Sequence, residues 1–72
     1  MEVCGYITTI CPKKGYGFIG PAPNVHANGV FFHHSQNKEV FKELRKGMRV
    51  DYTQYWNDEK GKWNARIVQY FK

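Results

Sequence analysis

Two short alternating runs constrain the fold of this chain more than any other feature of its sequence. They are Lys-Gly-Tyr-Gly-Phe-Ile at residues 14–19 and Val-Phe-Phe-His-His-Ser at residues 30–35. Successive side chains of a β-strand point to opposite faces, so each run predicts a strand with one apolar face. The rings expected on the other face are those of Tyr16, Phe18, Phe31 and His33.

An exposed ring face has two interpretations. Aromatic residues favour strands, and a Phe-x-Phe pair commonly packs across strands without binding anything. Gly15 and Gly17 nevertheless flank Tyr16, although glycine weakens a strand interior, and this indicates that backbone or a ligand comes close there. Flat rings beside lysines suit unpaired bases and their phosphates. The two runs together therefore favour a nucleic-acid-binding face.

Alternation and turn residues along the rest of the chain predict one all-β domain over residues 1–72, with five antiparallel strands and almost no helix. The register of the last strand stays open because Ile67 and Val68 are both apolar. Outside the two runs, strands are expected at residues 2–10, 48–56 and 62–70.

Two connecting segments have the composition of loops. Residues 21–28 contain turn formers and form either a loop that tunes recognition or a tolerated surface insertion. Residues 36–46 are mostly polar, with Val40, Phe41 and Leu44 at helical spacing, and predict a loop with a short helical turn. Neither segment changes the all-β fold class.

Charge and composition narrow the class of partner. Lysine and arginine number 11 against 6 acidic residues, which makes the formal charge +5 and favours a polyanion bound in a salt-sensitive way. Hydrophobic residues make up 42% of the chain, too many for a disordered segment. A chain of 72 residues forms one small domain with a limited core, for which a monomer is expected and a dimer is left open.

Several functions are not expected from this sequence. It has no apolar run of about 18 residues and no signal peptide, so no membrane contact is expected and the cytoplasm is the default location. Cys4 and Cys11 would lie about 23 Å apart along one strand, too far for a disulfide, which needs about 7 Å. Neither metal-ligand spacing nor a nucleophile motif is present, so no enzyme, metal or cofactor is expected.

The two runs also resemble a named pair of motifs. Residues 14–19 resemble the first ribonucleoprotein motif of the cold-shock domain family, and residues 30–35 resemble its second. Gly5 to Ile7 is similar to the family's opening strand, and Leu44 to Gly47 to its turn before the fourth strand. The resemblance implies a five-stranded OB-fold barrel that binds single-stranded RNA or DNA, with an RNA-chaperone or regulatory role.

The resemblance also implies which residues contact nucleic acid. Ring stacking is implied for Tyr16, Phe18, Phe31 and His33, and either base contact or capping of the barrel end for Phe41. Phosphate contact is expected separately for lysines, because they fall in turns or at strand ends where a nucleic-acid backbone could run. His34 stands where the family commonly has phenylalanine. The candidate binding residues are Lys13, Lys14, Tyr16, Phe18, Phe31, His33, His34, Phe41 and Lys62.

Some residues depart from the family pattern. Thr9 and Ile10 stand where the family usually has tryptophan and phenylalanine, so one stacking platform is missing. Trp56 and Trp63 either replace it or, as we expect, pack in the core or within a hairpin. The alternative function is therefore a small β-barrel that binds a protein or peptide and has lost strong nucleic-acid binding.

Overall fold

The computed structural model describes residues 2–22 and 29–71. Its strands match the predicted ones to within a residue or so at most ends, and the only α-helix of the described residues is a single turn. The predicted loop at residues 21–28 falls largely outside the described residues. In chain order the elements are β1 (Val3–Cys11), β2 (Tyr16–Gly20), β3 (Val30–His33), a 3₁₀ turn (His34–Gln36), α1 (Lys38–Phe41), β4 (Arg49–Asn57) and β5 (Lys62–Phe71).

The five strands form one closed sheet in the order β1-β2-β3-β5-β4, with β4 also paired to β1. The prediction that every pair is antiparallel is wrong for β3 and β5, which run parallel and share the single residue pair Phe31 and Asn64. The reason is parity: a ring with an odd number of strands cannot alternate direction all the way round. At least one neighbouring pair of a five-stranded ring must therefore run parallel.

Asn37 reinforces the parallel β3–β5 pair. Its side chain is buried; Nδ2 donates to the carbonyl oxygen of His33 at 2.8 Å, and Oδ1 accepts from the backbone N–H of Ile67 at 2.7 Å. A weaker Nδ2 contact reaches the carbonyl oxygen of Ala65 at 3.4 Å. Buried backbone groups need partners, and here one amide supplies them where the β3–β5 ladder is short. The sequence had suggested only a polar loop at this position.

Inward-facing residues of the strands, with Leu44 from the segment before β4, fill the barrel. The open register of β5 is resolved, because Ile67 is buried whereas Val68 is 49% exposed. Burial, with a smaller electrostatic contribution from Cys4, raises the pKa of the Tyr52 hydroxyl above its ordinary value of 10.0. The buried apolar residues are Ile7, Ile19, Phe32, Leu44, Val50, Tyr52, Ala65 and Ile67.

A β-bulge in β1 decides which residues of that strand face outward. The register of β1 against β2 shifts between Ile7 and Thr9, and Ile7 and Thr8 are consecutive yet both buried. Strict alternation from Ile7 would have turned Thr9 inward. The bulge instead exposes Thr9 directly opposite Phe18.

Candidate nucleic-acid interface

The four predicted rings of the two motifs lie on one face of the β2–β3 ladder. Tyr16 is paired with His33 across the strands, and Phe18 with Phe31. All four side chains are half-buried, so each ring presents part of its surface to solvent. We call this surface the aromatic strip. Alternation predicted this shared face correctly; a role in binding stays a prediction.

Ring geometry orders the strip around Phe31. The ring of Tyr16 is nearly parallel to that of Phe31, with 5.9 Å between centroids and 21° between planes. His33 continues the series at 6.3 Å and 23° from Phe31. Phe18 meets Phe31 edge-on, at 5.6 Å and 72°. Because the rings support one another, little side-chain freedom is lost when a flat ligand lies on them.

The glycines beside Tyr16 are explained by crowding within the protein. A Cβ on Gly17 would lie 2.5 Å from Cζ of Phe32 and 2.6 Å from the carbonyl oxygen of Thr9. Gly15 has a positive φ of 74°, and a Cβ there would collide with the ring of His34. The close approach predicted from the sequence thus comes from the protein's own backbone and side chains.

Lys62 lies directly on the strip. Its Nζ is 3.9 Å from the centroid of the Phe31 ring, a cation–π contact. The ammonium group therefore covers part of the Phe31 ring face.

Hydrogen bonds and ring contacts fix the two histidines. Nδ1 of His33 accepts from the backbone N–H of Ser35 at 3.1 Å, so in the neutral ring Nε2 carries the proton. The rings of His33 and His34 lie 4.6 Å apart, and His34 meets Phe41 edge-on at 6.1 Å. Ring surface therefore continues from the strip towards α1.

Phe41 caps the end of the barrel, one of the two alternatives that the sequence left open, and contact with a base stays a prediction. Its ring packs 5.9 Å from the buried ring of Phe32, so it covers the end of the core. It also lines a pocket of about 300 Å³ next to His34, which we call the basic pocket. The pocket is lined by Pro12, Lys13, Gly15, His34, Lys38, Phe41 and Lys42.

Two lysines of the basic pocket were missed in the sequence. Lys38 and Lys42 are spaced i and i+4, which places them on one side of the predicted helical turn. That spacing was the available signal. Lys13 lines the same pocket, whereas Lys14 is exposed beside it in the turn between β1 and β2.

A second pocket, which we call the polar pocket, opens beside Phe31 and His33. Its residues from β4 and β5 occupy alternate positions, Tyr55 with Asn57 and Lys62 with Asn64, so strand alternation in the sequence places each pair on one face. Oδ1 of Asn64 is buried and has no hydrogen-bond partner among the described residues. Amide, hydroxyl and ammonium groups of this kind can bond the edges of bases. The lining side chains are Phe31, His33, Ser35, Gln36, Tyr55, Asn57, Lys60, Lys62 and Asn64.

Trp56 and Trp63 face each other across the β4–β5 hairpin, and we call them the tryptophan pair. Their rings meet edge-on, with 5.4 Å between centroids. The expected packing within a hairpin is therefore present, but a core position is wrong, because the two residues are 50% and 53% exposed. Thr9 is itself exposed, and replacement of the missing platform by the tryptophan pair stays a prediction.

Acidic side chains neutralise little of the basic charge. Across residues 2–22 and 29–71 one ion pair forms, between Arg49 and Asp51 at 3.9 Å. Arg45 donates to the carbonyl oxygens of Lys42 and Leu44, so it is engaged with its own turn. Arg66 donates to Oε1 of Gln36 at 3.2 Å, so all three arginines have protein partners and lysines supply most of the remaining positive charge near the strip.

The described part of the chain also bears on metal, thiol and membrane-spanning features. No three histidine, cysteine or acidic side chains there gather at a common point. Cys4 and Cys11 are free thiols at the two ends of β1. No helix of the described residues is long and apolar enough to cross a membrane.

Fold and surface together define a small all-β domain with an aromatic strip between two pockets that contain lysine. The family model described as 'Cold-shock' DNA-binding domain matches residues 3–70, so the chain belongs to that family. Membership makes it a nucleic-acid-binding domain in general terms. No curated protein gives a significant match to the chain.

Proposed function

We propose that this domain is an OB-fold binder of single-stranded RNA or DNA, with bases stacked on the aromatic strip and phosphates held by the surrounding lysines. The proposal rests on one observation: half-buried rings share one face, with Lys13 near one end and Lys62 at the other. Base stacking tolerates every base, so specificity from the strip is modest.

The domain is proposed to prefer single-stranded over duplex nucleic acid because only unpaired bases are free to stack on its rings. Bases in a duplex are stacked on each other and cannot lie on protein rings, whereas bases of a single strand can. Binding the open strand shifts the pairing equilibrium by mass action, so the domain opposes base-paired structure. This is the activity of a nucleic-acid chaperone. It requires no chemical step and no cofactor.

A protein or peptide partner is the second candidate. The departures at Thr9 and Ile10 favour it, because the family's tryptophan and phenylalanine are absent there. Lysines lining pockets at both ends of the strip favour nucleic acid instead, since a polyanion neutralises them all at once. We therefore place nucleic acid first.

A titration at two salt concentrations tests the proposal. A labelled oligonucleotide and the duplex formed with its complement are each titrated with the full chain. We expect the single strand to bind more tightly, and log K to fall with log salt by about 0.7 for each phosphate neutralised. Equal binding of both forms would exclude stacking on the strip, and binding of neither would favour the protein-partner alternative.

A further inference from the structure

The tryptophan pair is unusual in its exposure. Trp56 is 50% exposed and Trp63 is 53% exposed, although large aromatic side chains gain much from burial. Packing against each other covers only part of each indole, at 5.4 Å between centroids. Adjacent exposed aromatic residues of this size commonly mark an interaction site.

A groove of about 420 Å³ connects the pair to the strip. It lies between the β2–β3 ladder and the β4–β5 hairpin. Phe18 and Phe31 belong to both the strip and this groove, so the two surfaces are continuous. The described residues that line the groove are Phe18, Gly29, Val30, Phe31, Gln54, Trp56, Gly61, Lys62 and Trp63.

The chemistry of the groove suits a base better than an apolar peptide. None of its described lining residues is acidic, Gln54 offers an amide, and Lys62 lies at its border with the strip. Asp58 and Glu59 are exposed in the hairpin turn and would repel phosphates beyond the groove. The phosphates of a bound strand would therefore run on the Lys62 side.

We propose that the tryptophan pair stacks an additional base of the strand that lies on the aromatic strip, which lengthens the binding site beyond β3. This rests on the proposed function. Lys62 and Trp63 are consecutive in β5, so their side chains point to opposite faces of the sheet. The bound nucleic acid would therefore bend around β5 as it passes from Phe31 to the tryptophan pair. The tryptophan pair would therefore make affinity depend on the length of the oligonucleotide and not on its base sequence, since any base can stack on an indole.

The chain carries its own probe for this site, because Trp56 and Trp63 are its only 2 tryptophans. Oligothymidylates of roughly 3 to 9 nucleotides span the lower site sizes of OB folds. Binding of each is measured through an attached label and, separately, through tryptophan emission. We expect the short strands to bind with little change in emission and the longer ones to quench it.

Variants of Trp63 test the same point without relying on fluorescence alone. For Trp63→Ala we expect affinity for long strands to fall roughly 5- to 150-fold, with short strands unaffected. Trp63→Phe keeps a ring and should recover most of the loss, with Trp56 as the single emitter. Val68→Ala is the matched control, because Val68 lies on the same strand and is 49% exposed.

Each outcome decides between the two proposals. Labelled strands that bind the parent without any length-dependent quenching would overturn the tryptophan site and leave the proposed function standing. Equal losses for short and long strands in Trp63→Ala would do the same. If no labelled strand binds the parent, the proposed function itself fails. Should Trp63→Ala not fold, Trp63→Phe and quenching of the parent still give the answer.

Discussion

The aromatic strip and the tryptophan pair are both exposed ring surfaces, yet they are held in different ways. Rings of the strip are half-buried, lie within about 6 Å of one another, and stand on strands paired on both sides. The indoles contact each other across one hairpin and are half exposed. The difference is one of preorganisation: the strip is fixed before a ligand arrives, whereas the pair retains freedom that binding must remove.

One residue joins the two regions. Asn37 holds the end of β3, which carries half of the strip, to β5, which carries Trp63. Its two short hydrogen bonds cross the only parallel pair of the closed sheet. The strip and the pair therefore keep their relative position through a buried amide as well as through strand pairing.

Removal of the Asn37 side-chain amide should have the largest effect of the changes proposed here, and that effect is on the free energy of unfolding. Asn37→Ala leaves the buried N–H of Ile67 without its side-chain partner, at about 1–3 kcal/mol, and also removes the bond to the partly buried carbonyl of His33. Domains have roughly 0.05–0.15 kcal/mol of stability per residue, so we expect a variant that is close to unfolding. Urea denaturation followed by tryptophan emission measures the loss.

Gln36→Ala is the control for this change. Gln36 is exposed, and Arg66 donates one hydrogen bond to its Oε1 at 3.2 Å. We expect its free energy of unfolding to stay within about 0.5 kcal/mol of the parent. A loss of similar size in both variants would mean that Asn37 is not the joint between the two regions.

The next largest effect is expected within the strip. Phe31→Ala removes the ring that contacts Tyr16, Phe18 and His33, and should weaken binding of strands of every length by roughly 5- to 150-fold. Fluorescence anisotropy measures the affinity. Phe71→Ala, at the far end of β5, should bind like the parent. If folded Phe31→Ala also binds like the parent, the strip is not the binding face.

Thr9→Trp should increase the affinity of the aromatic strip for a single strand and leave the tryptophan pair unchanged. Thr9 is exposed opposite Phe18, so a ring there would extend the platform at its β1 edge. We expect roughly fivefold tighter binding, the lower end of what one stacked base contributes, because Phe18 is the single strip ring paired with this position. The slope of log K against log salt should not change. A folded variant with unaltered affinity would show that bases do not reach β1.

The smallest effect should come from Lys62, at the border of the two regions. Lys62→Met removes one charge and uncovers Phe31, so the changes in affinity partly cancel. The salt slope should nevertheless become shallower by about 0.7, the value for one phosphate contact on a single strand. Lys46→Met is the control, because Lys46 lies near Tyr6 and Phe71 instead. An identical slope in both variants would remove Lys62 from the phosphate contacts.

Most of the strip could be predicted from sequence because its pattern is local. Tyr16 and Phe18 share a face whatever their surroundings, since strand geometry alone alternates side chains. The same holds for Phe31 and His33. Lys38 and Lys42 were predictable as well, through their helical spacing. The one parallel pair could also have been foreseen from the odd number of strands.

Other features depended on contacts between distant segments. Thr9 faces outward because a bulge shifts β1 against β2. Asn37 is buried because its backbone partners come from β3 and β5, about 30 positions away in the second case. Nothing in the neighbouring residues distinguishes either position from an ordinary strand or loop residue.

By itself the sequence determined the strands, the ring face, the basic charge and the family resemblance. Tertiary structure alone decided that Lys62 lies on Phe31, that Asn37 closes the sheet, and that Trp56 and Trp63 stand in solvent beside the strip. The physical reason is the range of the interactions. Alternation is a property of neighbouring residues, whereas burial depends on which distant strand arrives beside them.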